Sequence, residues 1–396
     1  MMACFGLRTV AEQVDWQVPL VGRWSVGTAL DEWSVVPLRS PRYHPSSIMA
    51  LLLGLVVPVW VVVPVWVVVP GCGPSERREV PVVPGPVVRG AEVSSSRVFI
   101  PIEAEPTYHL LAGYDPRWQA QVREGVEMAR RYWGSYGPAH VWVVGTEDGQ
   151  AISDDAKEAF LGEYCRWRIS GTDRTMDDCR GHATERFIDV AERGESEAYL
   201  SWVDEFDQPE AELVFINVDQ WYFEDDPIPD PILRGIHEYT HVFQKAFGVM
   251  PTWMMEGGAV FSEAWIPWIE GRCDYEFVSM RMRHLLDRIE EMEDSDLTIA
   301  DMEDIDTAPE SVRKYYRELA YDAGAWAFVF LVHQSPSASV SRLRDEFFPM
   351  ITEHGWEKAM SLYLGIAGKS EFYEAFDGFM GAPLGTKLVV LRELQP

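Results

Sequence analysis

His237-Glu238-Tyr239-Thr240-His241 constrains this chain more than any other stretch, because it sets two imidazoles one helical turn apart with a carboxylate beside the first. On a helix of 3.6 residues per turn, positions 237 and 241 leave from one face and reach one ion. Glu238 then stands beside that ion without being forced to ligate it. From there it can take a proton from a metal-bound water, whose pKa a zinc ion lowers to about 7. The chemistry implied is hydrolysis.

The flanks agree with a helix. Asp230-Pro231 reads as its start, with Asp capping free backbone donors and Pro at the first helical position, and Gly248 reads as its stop. Ile232, Ile236, Phe243 and Phe247 recur at helical spacing and form an apolar side, so the motif is expected on a core helix of about 17 residues. Two histidines hydrogen-bonded inside a core, with no ion between them, are the plain alternative.

A catalytic zinc site takes three protein ligands and keeps one position open. Fifteen residues after His241 stands Glu256, in Trp253-Met254-Met255-Glu256-Gly257-Gly258-Ala259, and Glu263 follows two turns later on the same face. Glu256 is the candidate third ligand. Glu263 fits a carboxylate that orients a ligand histidine, or else a solvated helix side chain. The two glycines cost about 1 kcal/mol each in helix propensity and let helix backbones approach closely.

These two segments together resemble the gluzincin metallopeptidases, in which a helix reading W-x-x-E-G-x-A supplies a glutamate ligand. The resemblance is strongest to peptidase MA-like domains and more distant to the aminopeptidase N family. It implies one Zn2+ per chain on His237, His241 and Glu256, with Glu238 as the catalytic base and a peptide or protein as substrate. A long helix is expected from Ser311 to Gln334, and within it Tyr321-Asp322-Ala323-Gly324-Ala325 is similar to the stretch in which gluzincins place a tyrosine over the zinc. The resemblance thus gives Tyr321 the role of oxyanion donor, where a preorganised donor is worth a few kcal/mol. Tyr315 and Tyr316 compete for it, and a buried aromatic without catalytic duty is the other reading. Trp356 to Ile366 and Lys369 to Gly381 resemble the closing helices of the same domains, which extends the similarity over residues 138–381. Fourteen residues separate His241 from Glu256, fewer than in aminopeptidase N relatives, and no GxMEN-like exopeptidase motif is present.

At 396 residues and 47% hydrophobic content the chain can bury a large core, which suits one catalytic domain, read as a monomer, with accessory segments. Residues 1–72 hold four basic residues (Arg8, Arg23, Arg39, Arg42) and four acidic ones (Glu12, Asp15, Asp31, Glu32), so the whole net charge of -29 belongs to residues 73–396. Nucleic-acid phosphates and anionic headgroups would repel such a surface, which excludes nucleic acid as an expected partner.

Ile48 to Pro70 is an uncharged run of 23 residues containing VPVWVVVPVWVVVP. It is long enough to span a bilayer, but Pro58, Pro64 and Pro70 each remove a helical hydrogen bond, which suits an export signal better than a packed transmembrane helix. The run ends at Val69-Pro70-Gly71-Cys72, which resembles a bacterial lipobox and makes Cys72 the candidate lipidation site. On that reading residues 1–47 are a doubtful leader, explained by translation starting instead at Val35 or Val36 ahead of Arg39 and Arg42. A single membrane anchor with a short cytoplasmic tail is the alternative. Residues 73–97, rich in Pro, Gly and Ser, read as a disordered tether.

The folded part is expected from Val98, with residues 98–230 as an α/β portion, 231–385 as the helical zinc-binding portion and 386–396 as a tail. Trp118 to Trp133 suits an amphipathic helix, His140 to Val144 a strand, and Leu213 to Asn217 a second strand ahead of the metal helix. By resemblance, an edge strand in that last position holds extended substrate through its backbone. Cys165 and Cys179 flank a polar stretch and would form a local disulfide in an oxidising compartment, worth about 3 kcal/mol, or else remain two ordinary thiols. Residues 290–306 carry nine acidic side chains and no basic one, which reads as a solvated loop unless it borders the cleft, where it would favour basic peptides. The expected fold is α+β: a small N-terminal mixed sheet with helices, then a mainly helical zincin-like lobe. The expected activity is that of an extracytoplasmic zinc metallopeptidase tethered in a bacterial cell envelope. The rival is a catalytically silent binding or scaffold domain that keeps the fold, although a scaffold has no need of a base at position 238.

Overall fold

The computed structural model describes residues 98–396 except 147–149, 171, 173, 204–208 and 222–226. The leader, the apolar run with Cys72 and the tether lie outside the described residues. Among the described residues no helix is long and apolar enough to cross a membrane.

The fold is α+β. Among the described residues six strands form two sheets: β1 Ile100–Pro101 pairs antiparallel with β3 Tyr136–Gly137, while β2 Thr107–Leu110, β4 Ala139–Val144, β5 Glu197–Val203 and β6 Glu210–Ile216 form a mixed sheet. Its order is β2-β4-β6-β5, with β2, β4 and β6 parallel and β5 antiparallel at the edge. Val141 to Val144 and Leu213 to Ile216 are fully buried, as befits central parallel strands covered on both faces. This placement corrects one expectation. Leu213 to Asn217, read as the substrate-facing edge, falls within and just beyond β6, which is paired on both sides, and the edge belongs to β5. β5 was not legible because Glu197, Ser201 and their neighbours keep it half-buried and break up any apolar run.

The longer helices are α1 Pro116–Trp133, α2 Asp154–Arg168, α3 Met176–Ala183, α4 Asp230–Lys245, α5 Thr252–Ile269, α6 Tyr275–Glu290, α7 Gly324–Gln334, α8 Phe348–His354, α9 Trp356–Leu364, α10 Lys369–Met380 and α11 Leu384–Glu393. α4 carries the HEYTH motif. Ile232, Ile236 and Phe243 are buried along it, and Gly248, with φ of 118°, turns the chain after its end. Asp230 does not cap this helix. Pro229 occupies that position, and the Asp230 carboxylate instead faces Arg234 one turn on, at 3.8 Å.

Two close crossings position α4 and α5. At the first, a Cβ on Gly235 would lie 2.4 Å from the Val122 carbonyl oxygen, so α1 and α4 approach to a distance only glycine permits. At the second, a Cβ on Gly257 would lie 2.0 Å from the Gly324 carbonyl carbon, which is the close approach expected of the glycines after Glu256. Beside the second crossing the structure departs from expectation: the segment from Ser311 to Gln334 is not one helix. A short helix, Glu310–Arg313, ends in a turn, and a π-helical segment, Arg317–Ala323, leads into α7. Widening the turn there re-aims side chains just before the backbone presses against α5, a device common at functional sites.

One apolar core runs through both the sheet and the helical portion, and the C-terminal residues belong to it: Leu391 and Leu394 are buried and Val340 donates its N–H to the Gln395 carbonyl. Cys165 of α2 and Cys179 of α3 form a disulfide. The acidic segment 290–306 is mostly solvated but pinned: Ile299 and Met302 are buried, and Glu303 accepts hydrogen bonds from Tyr373 and Lys369.

Candidate metal centre

His237, His241 and Glu256 come together, each offering one donor atom, with all three donors within 4.8 Å of one another. α4 supplies the imidazoles and the second turn of α5 the carboxylate. Glu256 Oε2 is 3.4 Å from His237 Nε2 and 3.4 Å from His241 Nε2. Two donors each about 2.0–2.2 Å from a tetrahedral ion lie roughly 3.3–3.6 Å apart, so these separations suit one shared ion. Glu256 Oε2 is also buried without a hydrogen-bond partner, an exception that calls for an explanation, and a cation at that point supplies one. The group can hold a metal ion.

The outer nitrogens are engaged in a way that leaves the inner ones available. His237 Nδ1 contacts Glu263 Oε1 at 2.7 Å, and His241 Nδ1 contacts Gln244 Oε1 at 2.8 Å. Each partner accepts from Nδ1–H, which fixes the tautomer whose Nε2 lone pair faces Glu256. Glu263 is itself held, by Arg281 at 2.6 Å and Arg234 at 3.6 Å. Gln244 reaches across to α5, where its amide donates to the carbonyls of Met254 and Met255, immediately before Glu256. The other oxygen of Glu256, Oε1, accepts from the Tyr316 hydroxyl at 2.9 Å. One carboxylate oxygen is thereby anchored and the other left for an ion.

Burial and the neighbouring charges act in opposite senses on His237 and Glu256. Burial alone would lower the His237 pKa, but Glu256 and Glu263 outweigh it and push it up to about 10. Burial would raise Glu256, yet His241 and His237 hold it well below the usual carboxylate range. Glu263 is held down at about 2, against burial, by Arg234, His237 and Arg281. Glu238 ligates nothing in this arrangement, and burial raises its pKa while His237 and His241 pull it back.

Of the three tyrosines, Tyr315 lies in a separate small core with Met302 and Leu319. Tyr321 stacks on His237, ring centroids 5.7 Å apart, and meets Tyr316 edge-on at 5.3 Å. Burial, then the nearby Glu256 charge, raises both Tyr316 and Tyr321 well above the ordinary phenol range, so both remain protonated donors. Gln244 and Arg281 were not singled out from the sequence, and Tyr316 was weighed there only as a rival of Tyr321, not as a partner of Glu256. Only Gln244 had a usable signal there, three residues after His241 and therefore on its face.

A second cluster of imidazoles and carboxylates spans the sheet. His109 of β2 contacts Glu163 of α2 through Nδ1 at 2.8 Å and His140 of β4 through Nε2 at 3.0 Å. His140 Nε2 lies 3.4 Å from Glu210 Oε2 at the start of β6, and Trp167 donates to the same oxygen at 2.8 Å. The His109 ring stacks on Trp142 at 3.7 Å. Burial lowers the His109 pKa, with Glu163 opposing and His140 adding to the fall.

The chain was compared with protein-family models, with curated proteins and with solved structures, and none matches.

Proposed function

We propose that this chain is a zinc-dependent hydrolase, and specifically a metallopeptidase of gluzincin type. The observation that carries the reading is the convergence of His237 Nε2, His241 Nε2 and the otherwise unpartnered Glu256 Oε2 at separations suited to one tetrahedral ion. Two imidazoles and one carboxylate form the donor set of a catalytic rather than a structural zinc site. Zinc held there supplies a water of lowered pKa and polarises a carbonyl oxygen. Glu238, beside the ligands and with its affinity for protons raised by burial, would serve as the base toward an attacking water and as the acid toward the departing amine. Tyr321, stacked on His237, donates its hydroxyl to the oxygen on which charge develops. Tyr316 keeps Glu256 oriented through Oε1. The choice of a peptide substrate rests on the resemblance of the HEYTH and WMMEGGA segments to gluzincins. The Cys165–Cys179 disulfide supports an oxidising, extracytoplasmic compartment, and attachment to a bacterial envelope through Cys72 is proposed from the lipobox-like sequence.

A second reading, a silent binding domain, draws support from the closure of the site: His237, Glu238 and His241 are 2%, 4% and 8% exposed. Digestion of a proteome-derived peptide library by the wild type and by Glu238→Gln at equal zinc occupancy separates the two. The expected outcome is chelator-sensitive cleavage by the wild type and near silence in the variant. Equal cleavage by both would remove Glu238 from the mechanism, and no cleavage by either would favour the silent domain.

A further inference from the structure

Lys245 is the last residue of α4, four beyond His241 and so on the face that carries the ligands. Its Nζ lies 4.7 Å from the centroid of the Trp202 ring, on β5. That contact spans from the metal helix to the free edge of the mixed sheet, since β5 pairs with β6 alone among the described residues.

The charge environment of Lys245 differs from that of the cation at the other end of the same face. Arg234 is balanced by Asp230 and Glu263, at 3.8 and 3.6 Å. Among the described residues no carboxylate lies within ion-pair range of Lys245; its recorded neighbours are an aromatic face and, farther off, the charge of Glu256. Burial lowers the Lys245 pKa, with Glu256 pulling it back up. Glu256 would be committed to zinc in the loaded protein, which among the described residues leaves the ammonium facing the Trp202 ring. A half-buried cation with no carboxylate in ion-pair range among the described residues, one helical turn from His241, is a recognition element for an anion arriving with the substrate.

Resting on the peptidase reading above, we propose that Lys245 and Trp202 form a carboxylate subsite beside the metal, and that the preferred substrates are peptides carrying an acidic residue at one fixed position from the scissile bond. The overall charge of -29 makes this local positive lining selective, because the surrounding surface repels an acidic peptide that does not seat its carboxylate there. It also gives an outcome opposite to the basic-peptide preference that residues 290–306 would impose if they bordered the cleft.

The test uses the full chain, metal-free and zinc-loaded, and acetylated oligoalanine amides bearing one Glu, Gln or Lys at each position in turn. Binding is read by calorimetry, independently of turnover. At one register the Glu peptide is expected to bind about tenfold more tightly than its Gln counterpart, the scale of one hydrogen bond to a charged group. The ratio should shrink at high salt, fall to about one in Lys245→Met, and pass to the Lys peptide in Lys245→Glu. Zinc content of both variants equal to that of the wild type would show that the fold and the ligands are intact. A wild type with no register favouring Glu, or a ratio that survives Lys245→Met, would overturn the proposal. Absence of cleavage in the zinc-loaded chain would refute the peptidase reading without moving these binding ratios, so the two failures are distinguishable.

Discussion

Among the described residues two clusters pair imidazoles with carboxylates, and only one of them offers donors that could hold a metal ion. In the helical portion, His237 and His241 each spend Nδ1 on an outer partner and turn Nε2 inward to the same oxygen of Glu256. Across the sheet, Glu163, His109, His140 and Glu210 follow one another in line, and each ring nitrogen already faces the next member. The same residue types give a convergent set of lone pairs in one place and a closed relay in the other. Donor identity alone does not define a metal site; what matters is which nitrogen the outer partners leave available.

The largest effect expected from this contrast is on metal content. His237→Ala should abolish stoichiometric zinc in purified protein, whereas His140→Ala should retain it, as elemental analysis would reveal; zinc lost from both would erase the distinction. Turnover comes next. Tyr321→Phe should bind zinc normally and lose about a hundredfold or more in kcat, the scale of one missing oxyanion donor, while Tyr316→Phe should act first on metal affinity because it frees Glu256 to rotate. The opposite pattern would exchange the two roles. Outer partners should matter less than ligands: Glu263→Gln and Gln244→Ala are each expected to weaken zinc binding about 10–100-fold in competition with a chelator, and unchanged affinity in both would mean that the ligands are oriented by packing alone.

The smallest effect concerns the relay, and its sign follows from His109. Its pKa in the folded chain lies below the ordinary 6.5, so the unfolded chain takes up a proton that the folded one resists. The resulting stability is present above about 6.5 and is lost as pH falls through that value toward the lowered one. The thermal midpoint should therefore fall more between pH 7 and pH 5 in the wild type than in His109→Gln; equal slopes would remove His109 from the acid response.

The two regions also differ in how far they could be read from the sequence. The candidate metal site was legible because its parts are local: HEYTH fixes two candidate ligands within one helical turn, and Glu256 and Glu263 follow on the next helix, where helical spacing places both carboxylates on one face. The relay was not, because its four members come from β2, β4, β6 and α2 and meet only through the strand order β2-β4-β6, which no periodicity encodes. The edge strand was misassigned for a related reason. β6 is the more apolar run, and apolar continuity marks a central strand rather than an exposed one. Between these extremes lies Tyr321, whose place beside His237 depends on the π-helical segment Arg317–Ala323. A regular helix from Ser311 to Gln334 would have aimed its side chains differently, and the break ends where Gly324 packs closely against α5.

The most direct test is anomalous diffraction at the zinc absorption edge from crystals grown with the metal. One peak is expected, within about 2.0–2.2 Å of His237 Nε2, His241 Nε2 and Glu256 Oε2, with none between His109 and His140. A peak at the relay, or none at the His237–His241–Glu256 point, would contradict the account.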